Sequence, residues 1–190
     1  MKKLLIAILV AVLFNSCTEK NISVSNNYFD LSKYMNSEIN RLSDSHVSVL
    51  KVARINGEKE ENRFINIDWK REFDSFFSAD IHGNSFTDKY IIDTIKNLSD
   101  SLSTIIIRYI AKDEELKTRV LEIHFNSKNE VELIKAELYS KNFIANLSES
   151  LIYQSGKYYS ISNNEDSRWF GSDEFIIEGK ISKSPDINKK

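Results

Sequence analysis

Between residues 90 and 181 apolar residues recur at every second position in short segments, and polar turns separate those segments. The segments are 90–96, 104–112, 118–125, 131–139, 143–153, 157–162 and 175–181. Side chains on a strand point alternately to its two faces, so a period of two predicts strands with one buried and one wet face. Between 119 and 125, for example, Leu121, Ile123 and Phe125 fall on one face while Glu122 and His124 fall on the other. The connections are rich in Asn, Asp, Ser and Lys and are too short for a crossover helix, which makes neighbouring strands antiparallel.

Upstream of residue 90 the period becomes helical. Asp30 can cap a helix carrying Leu31, Met35, Ile39 and Leu42 at three- and four-residue spacing, with Phe29 placed to staple onto Tyr34. Residues 47–55 have strand character, and Asn56-Gly57 is the preferred pair for a two-residue hairpin turn into a charged return arm, 58–67. Asp68 can cap a second helix bearing Trp69, Phe73, Phe76 and Phe77. That aromatic stripe can serve as a ligand wall or as core, and core is favoured because amphipathic helices bury such a face. The expected fold class is therefore α+β: a curved antiparallel β-sheet with two amphipathic helices packed on one face. In plan it is similar to the half-barrel lipoprotein carriers of the Gram-negative envelope, an analogy resting on element order alone.

The N-terminus carries an address. Lys2 and Lys3 precede an uncharged apolar run from residue 4 to residue 14, the layout of a secretory signal and too short to span a bilayer. The run ends at Ser16-Cys17, and Cys17 is the single cysteine in the chain. A small residue before a cysteine at this point resembles the lipobox of bacterial lipoproteins, and Phe14 and Asn15 suit its looser Bacteroidota form. The resemblance implies cleavage after residue 16, lipid attachment at Cys17 and a membrane partner reached through that lipid. Two or three acyl chains anchor stably where one does not. Residues 17–27 then read as a polar tether, 28–182 as one globular domain, and 183–190 as a disordered tail. Thr18 is not the aspartate of inner-membrane retention, which favours the outer membrane.

Composition narrows the classes further. The 26 basic residues include two in the leader and face 28 acidic ones, so the chain from Cys17 onward carries about −4. That balance, with no basic cluster, argues against nucleic acid. Five glycines leave no phosphate-cradling loop. His46, His82 and His124 lie far apart, without the paired spacing of zinc ligands. Asp113-Glu114-Glu115 reads as a solvated turn, not an acid–base pair, because catalytic carboxylates need burial or a like-charged neighbour. No catalytic residue, metal site or cofactor is expected. Asp93-Thr94-Ile95 and Asp100-Ser101-Leu102 resemble a Bacteroidota O-glycan acceptor, with Ser101 the better placed.

Trp169 and Phe170 form the candidate binding loop, set side by side in the long polar stretch 162–173. Exposed, they suit a sugar or a partner protein; folded back, they pin the loop to the sheet, the favoured reading. Tyr28-Phe29-Asp30-Leu31, the run Asp68-Trp69-Lys70-Arg71-Glu72-Phe73 and the closing Glu174-Phe175-Ile176-Ile177-Glu178-Gly179 resemble uncharacterised Bacteroidota outer-membrane lipoproteins, which implies an address and no activity. The leading expectation is a non-enzymatic envelope lipoprotein binding a partner protein or an apolar ligand. The alternative is a hydrolase of glycan or cell wall. An apolar gap, if present, is expected between Ile105, Ile107, Leu121, Ile123 and Phe125 on the sheet and Leu42, Phe76 and Phe77 on the helices; a filled core is favoured over it.

Overall fold

The computed structural model describes residues 28–99, 102–169 and 171–184. Cys17, Ser101, Phe170 and residues from 185 onward lie outside them. The described residues form one nine-stranded antiparallel sheet, curved and not closed, ordered β2-β1-β9-β8-β7-β6-β5-β4-β3. The strands are β1 (Val47–Ile55), β2 (Glu58–Phe64), β3 (Tyr90–Ser99), β4 (Leu102–Ala111), β5 (Thr118–Phe125), β6 (Val131–Lys141), β7 (Ala145–Gln154), β8 (Tyr158–Ser167) and β9 (Gly171–Lys183). Strands β3 to β9 form a meander, each beside its predecessor, and β1 then pairs with β9 to bring the N-terminal hairpin onto the sheet. The expected α+β class with helices on one sheet face holds.

Helix α1 (Leu31–Ser43) begins as its sequence dictates: the Asp30 carboxylate accepts from the Lys33 amide at 2.8 Å, and Phe29 meets Tyr34 with ring centroids 5.8 Å apart. Leu31, Met35 and Leu42 are buried. The second helix differs from expectation. It breaks at Phe73 into α2 (Trp69–Glu72) and α3 (Asp74–Ser78), because Phe73 leaves helical geometry at φ −102° and ψ 15°. The break turns Trp69, Phe73 and Phe76 onto the sheet, and all three are buried. Asn56 and Gly57 both take positive φ, as the two-residue hairpin requires. A second departure concerns the stretch 162–173. It is no long loop: β8 continues to Ser167 and β9 starts at Gly171, so a short turn joins two paired strands.

The register aligns the core in rows. Ile107, Ile123, Ile134, Tyr153, Tyr159, Gly179 and Lys51 lie side by side from β4 across to β1. Tyr109, Leu121, Ala136, Leu151, Ile161 and Ile177 form the next row. The helices cover these rows, and the residues proposed as gap lining that lie centrally, Leu42, Phe76, Leu121 and Ile123, are fully buried core. The opposite face is mixed: Ile106, Ile110, Val120, Leu133 and Ile152 share it with a charged cluster in which Arg108 pairs with Glu122 at 2.6 Å and His124 with the same carboxylate at 3.1 Å.

The two outer strands differ. In β2, five of seven side chains are charged and all are exposed, which blunts that edge against adventitious pairing. At the other edge, residues 28 and 29 clasp β3 and β4: the Tyr28 hydroxyl accepts from the Tyr90 amide at 3.1 Å, and the Tyr109 hydroxyl accepts from the Phe29 amide at 3.1 Å.

Candidate functional site: an open cleft beside the aromatic core

Phe73 is the hub of the core. Its ring meets those of Tyr153 at 5.1 Å and Tyr159 at 5.5 Å, both edge-to-face. Each tyrosine then sends its hydroxyl to a helix glutamate. Tyr153 donates to Glu38 of α1, and Tyr159 donates to Glu72 of α2. Glu38 is buried, so its charge needs partners: Arg41 binds it through two nitrogens at 2.8 and 2.6 Å, and Ser155 donates at 3.1 Å. Burial opposes ionisation of Glu38, but the hydrogen bonds from Arg41, Tyr153 and Ser155 prevail and hold its carboxyl below the ordinary value. Burial first, and then the neighbouring glutamate, raise both tyrosine hydroxyls far above the ordinary value.

Glu72 also pairs with Lys51 at 2.7 Å. The link is possible because Gly179 stands between Lys51 and Tyr159 in the row, and the Tyr159 ring lies over its bare Cα. Any larger residue would lift the ring away from Glu72.

Beyond this link the helix cover thins: Val49 and Ile161 remain buried, while Phe175 and Ile177 are only half-buried. An open cleft of about 530 Å³ lies there between α2–α3 and strands β1, β8 and β9. Its floor is apolar: Val49, Ile161, Phe175 and Ile177. Asp68, Arg71, Glu72, Asp74 and Ser75 form the helix wall, and Phe64 and Ile67 the rim. Asp68 is committed to capping α2, and Glu72 to Lys51 and Tyr159. Asn163 stands in the floor between Phe175 and Glu149 on the neighbouring strands. Its Oδ1 is buried and accepts no hydrogen bond. Such an acceptor costs about 1–3 kcal/mol, and rotation of the Asn163 side chain into the cleft would let a ligand donor satisfy it.

The candidates read from sequence fall elsewhere. Trp169 is 58% exposed and packs on Phe143, ring centroids 5.7 Å apart, instead of folding onto the sheet. Arg168 stacks its guanidinium on the same Phe143 ring at 5.2 Å. Thr94 lies within β3 and is exposed. The histidines stay apart: the His46 carbonyl accepts from the Ser184 amide at 2.9 Å, His82 Nδ1 donates to the Tyr28 carbonyl at 2.9 Å, and His124 faces Glu122. Among the described residues no three His, Cys, Asp or Glu gather as a metal site. Asp113 lies in an exposed turn, where its carboxylate accepts from the Glu115 amide at 2.9 Å. Among the described residues no helix is long and apolar enough to cross a membrane. The chain matches no protein-family model, no curated protein and no solved structure.

Sequence reading missed Glu38, Glu72 and Asn163. Glu38 and Glu72 look like ordinary exposed helix glutamates, and Asn163 sits in a polar run resembling a loop. One signal was present: Tyr158-Tyr159 and Gly179 sit at strand positions where a bare glycine invites a ring from the neighbouring strand.

Proposed function

We propose that this chain is a non-enzymatic envelope lipoprotein, acylated at Cys17, whose cleft binds an amphiphilic small molecule. The observation that carries the reading is the unpaired Oδ1 of Asn163 in an otherwise apolar floor. A ligand with an apolar body lies on Phe175 and Ile177 and presents a donor, an alcohol, amine or amide, to Asn163 as that side chain turns into the cleft. Pockets of this kind, mostly apolar with few oriented polar groups, are the usual form of small-molecule sites. Binding is preferred over glycan hydrolysis because two of the wall carboxylates already serve structural contacts. The lipobox-like Ser16-Cys17 supports the anchor and, with Thr18, the outer membrane as its location.

The test uses N-phenyl-1-naphthylamine, an apolar fluorophore with one N–H donor. Saturable fluorescence enhancement, competed by a long-chain alcohol, is expected for the purified protein. Asn163→Leu should weaken it by about 5- to 100-fold, the range of one buried hydrogen bond. Uptake that never saturates, or that Asn163→Leu leaves unchanged, refutes the reading. For the anchor, metabolic fatty-acid labelling should mark wild type and spare Cys17→Ser; equal labelling of both refutes acylation at Cys17.

A further inference from the structure

The segments 142–144 and 168–169 stand together at one end of the sheet and hold three large apolar side chains in solvent. Phe143 is 74%, Ile144 53% and Trp169 58% exposed. This is a built display. Asn142 Oδ1 accepts from the amides of Ile144 and Ala145, both at 2.8 Å, and the Ile144 carbonyl accepts from the Arg168 amide at 3.0 Å, joining the two turns. Phe143 is then gripped between Trp169 and the Arg168 guanidinium. The rings are held outward by a hydrogen-bonded frame, so presenting them to a partner costs little ordering entropy.

The chain itself says which way this end points. Tyr28, the first described residue, bonds to Tyr90, which pairs with Ala111 at the end of β4. The strand ends then follow across the meander: β5 starts at Thr118, β6 ends at Lys141, β7 starts at Ala145, β8 ends at Ser167. The N-terminal segment therefore meets the domain at the same end as the aromatic turns, four strands from β7, or about 20 Å. Residues 18–27 number ten and reach at most about 35 Å when fully extended.

We infer that Phe143, Ile144 and Trp169 form a membrane-contacting tip that seats the domain, aromatic end down, on the bilayer carrying its lipid anchor. The inference rests on the anchor proposed above. Trp suits the headgroup–acyl boundary, where its apolar body and its N–H are both satisfied, and Phe and Ile add apolar surface to bury beside it. Around the tip, Lys141 and Arg168 stand against Glu165, Asp166 and Asp173, so no basic patch faces the lipid, the contact depends on ring insertion and zwitterionic lipid suffices.

The chain has two tryptophans, and Trp69 is buried, so Trp169 is the solvent-facing reporter. The lipidated protein is reconstituted in phosphatidylcholine vesicles whose acyl chains carry bromine near the headgroup, and its emission is compared with that of Trp169→Phe. The difference signal is expected to shift to the blue and to be quenched at least twofold by the bromines. Phe143→Ser combined with Ile144→Ser should abolish that quenching. If the Trp169 signal stays open to aqueous acrylamide and blind to bromines while Cys17 carries label, the tip is refuted and the anchor stands. If Cys17 carries no label, the anchor has failed, and the same measurement on protein mixed with vesicles decides the tip alone: quenching supports it and none overturns it. Shielding of Trp169 that needs added envelope protein and no lipid also overturns it.

Discussion

Replacing Gly179 by alanine isolates the contact on which the Lys51–Glu72–Tyr159 link depends. Gly179 does not have a positive φ, so alanine meets no backbone penalty there, and in an ordinary strand the change would stabilise by about 0.5–1 kcal/mol. Here an added Cβ would lie 2.1 Å from Tyr159 Cε1 and Cζ and 2.5 Å from its hydroxyl. The obstacle is a ring fixed between Phe73 and β9, so the ring must swing away. Overpacking of this kind costs about 1–3 kcal/mol. Losing the tyrosine's bond to a charged carboxylate adds about 1.5–3 kcal/mol. Less the strand gain, Gly179→Ala should destabilise by about 2–5 kcal/mol, lowering Tm by roughly 5–15 °C in a domain of this size. Urea denaturation followed by circular dichroism gives the midpoint. Gly83→Ala is the control, since its Cβ would meet nothing closer than 3.6 Å, and it should leave the midpoint in place. A Gly179→Ala midpoint at or above wild type would show that the Tyr159 ring does not lie over Gly179, and the account of the link would fall.

Other outcomes follow from the same core. Phe73→Ala removes a fully buried ring in contact with four others and should cost about 3–5 kcal/mol by cavity formation, read as a lowered denaturation midpoint. Glu38 has a lowered folded pKa, so its contribution is present above the unfolded value and is lost as pH falls through the folded one; Glu38→Gln should flatten the acid limb of a stability–pH curve below about pH 4.5. Tyr153 and Tyr159 have raised folded pKa values, so their contribution is complete below the unfolded value and declines as pH rises past about 10. Tyr153→Phe should reduce that alkaline loss, and an unchanged alkaline slope would mean the hydroxyl is not held protonated in the fold.

The elements with strong local signals were legible in the sequence. The Asp30 cap, the Phe29–Tyr34 staple and the Asn56-Gly57 turn are local devices, and each stands where its residues place it. Strand β5 runs over the residues its alternation marked. Boundaries slipped where tertiary pairing overrides pattern: residues 163–167 carry no apolar alternation, yet β8 extends through them because β7 and β9 supply hydrogen bonds on both sides. The break at Phe73 was hidden because a continuous helical stripe and two short helices share one spacing. The cleft was illegible for a deeper reason. It exists where the helix cover thins over the sheet, and that is a property of layer overlap with no signature in any single segment.

The pairing of β1 with β9 joins residues remote along the chain, from Val47 opposite Lys183 to Ile55 opposite Phe175. Local turns can zip the meander from β3 to β8 early, whereas closure of this last seam bears the entropy of the largest loop in the molecule and is intrinsically slow. During synthesis, the N-terminal hairpin emerges first and must wait for the final strand before it can dock. The cleft floor, shared between β1, β8 and β9, is accordingly the last part to form. Losing the thirteen residues of β9 would release both the hairpin and the floor while leaving the ladder from β3 to β8 intact. A protease trimming the C-terminus is thus expected to yield a still-folded remnant without a cleft, recognisable by retained strand dichroism and lost probe uptake.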